Sequence, residues 1–432
     1  MRDIQDRLDE LKELGLYRRT RQVSGPQGPR VVLDGKPVML LCSNNYLGLA
    51  DHPRVRQAAA DAAMRWGVGA GASRLISGNM TIHRRLEKRL ADFERSEACV
   101  LFGSGYLANT GIVAALAREG EVVFSDALNH ASIVDGCRLA RAETFVYDHA
   151  DLEHLAWGLE QAAGRGALIV TDGVFSMDGD VAPLLEIVEL AQAYDVRVVV
   201  DEAHATGALG PGGRGAVAEA GLEEHVDVVV GTLGKALGSY GAYACCDNVM
   251  AQYLVNTARP LIFSTALPPP AVAGALAALE LLEEQPRRVR KLQLAGDLLR
   301  TELEGQGFDI GASSTQIIPL MVGDAAQAMH ACEVALEHGV FAQAIRPPTV
   351  PNGTSRLRLA VMASHTKTEL RTAGRVLGKA MVAAGVAPKP RPVAPPVAEP
   401  VAAPERERER EPEREPVPVG GVFDGEAVAR AA

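Results

Sequence analysis

Between about residues 97 and 232 the chain alternates short β-branched runs with longer helical patterns, and that rhythm leaves few architectures open. The runs lie at 98–102, 122–125, 144–147, 167–171, 196–200 and 228–230, with helix-like stretches such as 107–118 and 184–194 between them. Strands that take turns with helices in this way predict βαβ units, hence an α/β fold whose mainly parallel sheet is covered by helices. In such sheets ligands sit beyond the carboxyl ends of the strands, where a loop leads into a helix.

The flanking segments carry other patterns. Residues 1–22 read as a charged helix, with Ile4, Leu8, Leu11, Leu14 and Leu16 set among charges. Pro268-Pro269-Pro270 closes the alternating region, and a helical stretch follows over 272–303 with a break expected at Pro286. A second α/β set over about 290–385 should include strands at 316–321 and 356–361. From Pro388 the composition turns to Pro, Ala and Val and then to alternating Glu and Arg, too polar to offset its ordering entropy, so disorder is expected there. The layout predicted is an N-terminal helix or arm at 1–45, a large domain at 46–289, a small C-terminal domain at 290–387 and a tail at 388–432.

Bulk properties exclude several functions. A formal net charge of -10 argues against general nucleic-acid binding, so an anionic substrate would need a local basic pocket. The six cysteines show neither CxxC nor paired metal spacing, which predicts reduced thiols and no metal site. The charged start lacks a signal peptide's apolar core, and no apolar run is long enough to span a membrane. A cytoplasmic protein with no membrane partner is the expectation.

Chemistry concentrates at strand ends. Asp201-Glu202-Ala203-His204 follows the apolar run 196–200, and Gly231-Thr232-Leu233-Gly234-Lys235-Ala236 follows 228–230. An aspartate there can serve merely as a turn or cap, and a lysine as a solvated cation. Glycines around Lys235, however, admit close approach of a ligand. An amine and a carboxylate at neighbouring strand ends suit pyridoxal phosphate, which needs a lysine for its imine and an acid to keep its ring nitrogen protonated. Gly103-Ser104-Gly105-Tyr106 follows another strand and opens a helix, offering free N–H groups to a phosphate, with Thr232 as a further donor. The run lacks the last glycine of a dinucleotide fingerprint, since position 108 is Ala, and no G-K-[ST] is present. His130 could stack on the cofactor ring, and Ser176 or His204 could bond its hydroxyl.

These residues lie in longer runs that resemble the α-oxoamine synthases, fold-type-I pyridoxal-phosphate enzymes that condense an amino acid with an acyl-CoA. The likeness spans about residues 1–385. It includes Ser43-Asn44-Asn45-Tyr46-Leu47-Gly48, Asn129-His130-Ala131-Ser132, Phe175-Ser176-Met177-Asp178-Gly179 and the Asp201 and Lys235 runs. Within the family, Arg346-Pro347-Pro348-Thr349-Val350-Pro351 resembles the branch of biotin biosynthesis that joins L-alanine to pimeloyl-CoA or pimeloyl-acyl-carrier protein. His204-Ala205-Thr206-Gly207 is at least as typical of the glycine-using ligases, which take acetyl-CoA, so that alternative stays open; an aminotransferase is a further one. The resemblance implies Lys235 and His130 as catalytic groups. It assigns Asp201 to the ring nitrogen, Ser176 and His204 to the ring hydroxyl, and Gly105, Tyr106 and Thr232 to the phosphate. Thr265 would reach that phosphate from a second subunit of a homodimer. Arg358 would hold the amino-acid carboxylate, with Arg18, Asn44 and Thr349 as further substrate contacts.

Overall fold

The computed structural model describes residues 3–14 and 16–389. Seven strands form its central sheet: β1 (Ala98–Phe102), β2 (Val122–Asp126), β3 (Glu143–Tyr147), β4 (Gly166–Asp172), β5 (Arg197–Asp201), β6 (Val228–Thr232) and β7 (Ala242–Cys246). Their spatial order is β1-β7-β6-β5-β4-β2-β3. Strands β2 to β6 pair in parallel. Only β7 runs antiparallel, to both β1 and β6. The predicted α/β architecture is therefore present. Covering helices such as Gly105–Leu116 and Leu184–Tyr194 bury the sheet on both faces, so Val198, Val199 and Val200 are all buried and the strand reads as an unbroken apolar run.

Strand β7 escaped the sequence reading because Ala-Tyr-Ala-Cys-Cys has no β-branched residue. Packing decides it instead. Tyr243 on β7 lies across Gly231 on β6, its register partner, and a Cβ at Gly231 would stand 2.0 Å from the tyrosine ring. The glycine makes room for a large ring in the middle of the sheet.

The N-terminal helix is shorter than expected. It spans Ile4–Glu13, and Leu16 and Tyr17 both donate back to the Leu11 carbonyl, which turns the chain out of the helix before the cluster Arg18, Arg19 and Arg21. Residues 23–40 then form three short strands that are completed by Val340–Phe341 from far along the chain. The helical stretch after the prolines divides as predicted, into Pro269–Glu284 and Arg287–Gly305, with Pro286 between them. Strands Ile317–Gly323, Gln343–Ile345 and Ser355–Ala360 form a small antiparallel sheet. It approaches the loop after β4 closely: at Gly179, with φ of +72°, a Cβ would meet the Ile317 carbonyl oxygen at 2.1 Å. Of the expected tail, all but Pro388 and Lys389 lies outside the described residues. Among the described residues no helix is long and apolar enough to cross a membrane.

Candidate active site

Three adjacent parallel strands end in polar residues: β4 in Asp172, β5 in Asp201 and β6 in Thr232. Beyond them opens a cavity of about 180 Å³ lined by Gly105, Tyr106, His130, Ser132, Asp172, Asp201, Ala203, His204, Thr232 and Lys235. The sheet thus gathers residues up to 130 positions apart, as the topology of parallel strands dictates.

Lys235 follows β6 by one turn. Its amine lies 2.9 Å from His204 Nε2, and the other ring nitrogen, Nδ1, lies 2.6 Å from the Tyr46 hydroxyl. Tyr46 in turn donates to Asn44 Oδ1 at 3.1 Å. A neutral His204 carries a single N–H, so it donates to one of these two neighbours and accepts from the other. Burial lowers the Lys235 pKa to about 8 against the opposing pull of Asp201 and Asp172. Burial, with Lys235 and Arg358 nearby, holds His204 well below the usual histidine range, so it is a neutral ring.

Asp201 accepts from Asn109 Nδ2 at 2.6 Å and from the Ala203 N–H at 2.8 Å. The same Asn109 amide donates to Ser132 Oγ at 2.9 Å, and Ser132 lies 2.7 Å from His130 Nδ1. Asn109 therefore ties the acid under the cavity to the imidazole beside it. The backbone N–H of His130 donates to Asp172 at 3.0 Å. Burial and then Asp201 push the Asp172 carboxyl well above the usual range. Burial also lowers His130, whose ring is open to the cavity.

The Gly105–Leu116 helix points its start at the cavity. Ser104 caps it by accepting from the Leu107 N–H at 3.2 Å, which leaves the first-turn N–H groups of Gly105 and Tyr106 without helical acceptors. The Tyr106 hydroxyl itself donates to Asp135 on the next helix.

Arg358 and Arg356 lie two residues apart on one strand, both buried, yet differ in company. Arg356 is paired with Asp178. Arg358 has no carboxylate partner among the described residues; it donates to the Ser176 carbonyl and sits 3.4 Å from Asn44 Oδ1 through both terminal nitrogens. Asn44 and Ser176 thus adjoin the Lys235–His204–Tyr46 chain without lining the cavity. Arg18 and Thr349 line a different hollow, of about 820 Å³, with Arg19, Arg21 and Arg346 around it. Thr265 is bridged to Ser73 and likewise lies away from the Lys235 cavity.

Sequence reasoning missed Asn109, Ser132, Tyr46 and Gln316, the last of which donates to the His204 carbonyl at 2.7 Å. Asn109 offered a signal: it is a polar residue four positions after Gly105, on the same helical face that opens toward the phosphate cradle.

The family description "Aminotransferase class I and II" matches residues 36–377. Two curated relatives, both described as 8-amino-7-oxononanoate synthase, come from Citrifermentans bemidjiense and Geobacter sulfurreducens. They are 50% and 51% identical, over 86% of this chain and 96% of their own length. Among solved structures, serine palmitoyltransferase from S. paucimobilis with bound PLP and myriocin superposes with a TM-score of 0.85 and 32% identity, covering 89% of this chain and all of that one. The 8-amino-7-oxononanoate synthase of Francisella tularensis superposes with a TM-score of 0.70 and 26% identity over 79% of this chain and 97% of that one.

Proposed function

This chain belongs to the aminotransferase class I and II family, and we infer that it condenses L-alanine with a pimeloyl thioester, on CoA or on acyl-carrier protein. The products are 8-amino-7-oxononanoate, carbon dioxide and the free thiol, a step of biotin biosynthesis. One observation carries the assignment: a strand-end amine with a lowered pKa faces a strand-end carboxylate across a cavity at a helix start, in a chain half identical to proteins described by that activity.

The residues present fit pyridoxal phosphate. Asp201, fixed by Asn109, would hold the ring nitrogen, and Ser176 and His204 the ring hydroxyl. The free N–H groups of Gly105 and Tyr106, with Thr232, would hold the phosphate, and His130 would stack on the ring. Lys235 would carry the imine. When bound, the cofactor supplies an electron sink for the amino-acid Cα.

Everything else is done by this chain. Lys235, once released, would take the Cα proton, and a pKa lowered to about 8 makes the free amine far more accessible than in an ordinary lysine. Neutral His204 shares a hydrogen bond with the amine through Nε2 and fixes where that amine points. Arg358, buried and without a carboxylate partner among the described residues, would receive the alanine carboxylate in the bidentate geometry guanidinium favours. His130 would give a proton to the thioester oxygen as the new carbon–carbon bond forms. Arg18 and Thr349, in the arginine-rimmed hollow, contact the acyl substrate. Thr265, outside its own chain's cavity, would serve the phosphate of a second copy, so the working unit is a homodimer in the cytoplasm.

The test is a four-way assay of alanine or glycine with pimeloyl- or acetyl-CoA. Alanine with the pimeloyl thioester should release CoA and carbon dioxide together, and borohydride should label Lys235. A preference for glycine with acetyl-CoA would move the chain to the ligase branch, and keto-acid formation without CoA release would make it an aminotransferase.

A further inference from the structure

His149 lies outside the cavity and touches neither end of the machinery described so far, yet both of its ring nitrogens face carboxylates. Nδ1 is 3.0 Å from Asp126 Oδ1, and Nε2 is 2.8 Å from Asp180 Oδ2. The Phe175 ring stands edge-on to the imidazole at 4.4 Å between centroids. A neutral imidazole has one N–H and cannot donate in both directions, so the ring that satisfies this geometry is the cation.

What the two acids belong to gives the contact its meaning. Asp126 ends β2 and begins the turn that delivers His130; its carboxylate also accepts from the Leu128 N–H at 2.8 Å and the Ala150 N–H at 2.9 Å. Asp180 belongs to the tight loop after β4, closed by a Val174–Val181 bridge and by a bond from the Phe175 N–H to the Asp180 carbonyl. That loop carries Ser176, and it carries Asp178, the partner of Arg356. The two loops are thus joined through one charged ring, packed on the residue next to Ser176.

We propose that His149 is a positioning residue, a doubly paired imidazolium that pins the His130 turn to the Ser176 loop and so fixes both against the cofactor ring. The inference rests on the reading that His130 and Ser176 face pyridoxal phosphate. Burial works against the charge, but the bonds to Asp126 and Asp180 outweigh it and raise the His149 pKa to about 10. The groups that face the ring are Asp126 from β2, Asp180 and Phe175 from the loop; the buried Tyr147 hydroxyl lies near Asp126.

Three measurements on the full chain test it. Nitrogen-15 NMR of the native protein should show both His149 nitrogens protonated from pH 6 to about pH 9; a neutral tautomer at pH 8 overturns the proposal. In PLP-loaded H149F, which keeps a ring edge-on to Phe175 and loses both ion pairs, kcat should fall on the order of tenfold, with the alanine KM within twofold. PLP should also dissociate several-fold faster from that variant. Values of kcat and PLP dissociation within twofold of wild type, in a variant of unchanged far-UV circular dichroism, overturn it as well. Should H149F fail to fold, D180N removes only the more exposed half of the pin and must show the same pattern at smaller amplitude, or the proposal fails. Wild-type protein that binds PLP but makes no 8-amino-7-oxononanoate would instead sink the functional reading, leaving the ring-nitrogen and PLP-dissociation results to judge the pin.

Discussion

Lys235 gives up its proton more readily than an ordinary lysine because its amine is enclosed, and two carboxylates nearby only partly restore its charge. Imine formation needs the free amine, so the sign follows directly: below about pH 8 the reactive form is scarce and above it abundant. We expect the rate at which apoprotein takes up pyridoxal phosphate, read from its visible absorbance, to rise with pH, pass its midpoint near 8 and level off. A rate flat between pH 6.5 and 9 would contradict the lowered pKa. At this scale the convergence of Lys235 and Asp201 on one cavity was legible from the sequence, since Asp201 ends one strand and Lys235 follows the next among glycines. Their orienting partners were not. Asn109, Ser132 and Tyr46 are ordinary polar or aromatic residues whose meaning comes from the 92 positions between Asn109 and Asp201 or the 158 between Tyr46 and His204 being folded away.

Among the elements, β6 has the most demanding position, because it must run through the middle of the sheet and still deliver Thr232 and Lys235 to the cavity. Gly231→Ala tests that demand. The added methyl would overlap the Tyr243 ring, and overpacking of this kind costs about 1–3 kcal/mol. We expect a lowered midpoint of thermal unfolding together with weaker cofactor retention, since relief requires β6 or β7 to shift; an unchanged midpoint would show that the ring has room to move. The same pair explains where sequence reading ended. The six parallel or edge strands with β-branched runs were visible from composition and period, whereas β7 is specified by a tyrosine fitting a glycine on its neighbour. The N-terminal helix stopped early for a comparable reason, its end set by the turn back to Leu11 and not by any change in its charged pattern.

Across the whole molecule the charge is negative, -10, while one hollow gathers Arg18, Arg19, Arg21 and Arg346. Arg21 is paired with Asp34, but an excess of cation remains. On the proposed reading, an anionic acyl substrate would be drawn to this local patch on a body of net negative charge. Raising ionic strength from about 0.05 M to about 0.5 M shortens the screening length and should increase the KM for the thioester several-fold while leaving kcat nearly unchanged. A salt-independent KM, measured by thiol release, would remove this hollow from the substrate's path.

The junction of Asn44 with Arg358 has a bearing on how the protein is made. The ribosome delivers Asn44, Asp201 and Lys235 long before Arg358, whose strand also closes the small sheet over Ser176. A chain cut off after Lys235 would lack both β7, which stands between β1 and β6, and Arg358, so neither the sheet under the cavity nor the guanidinium beside it would be complete. The enclosed amine and the unpaired guanidinium therefore arise together, from a chain that has closed on itself across 314 positions.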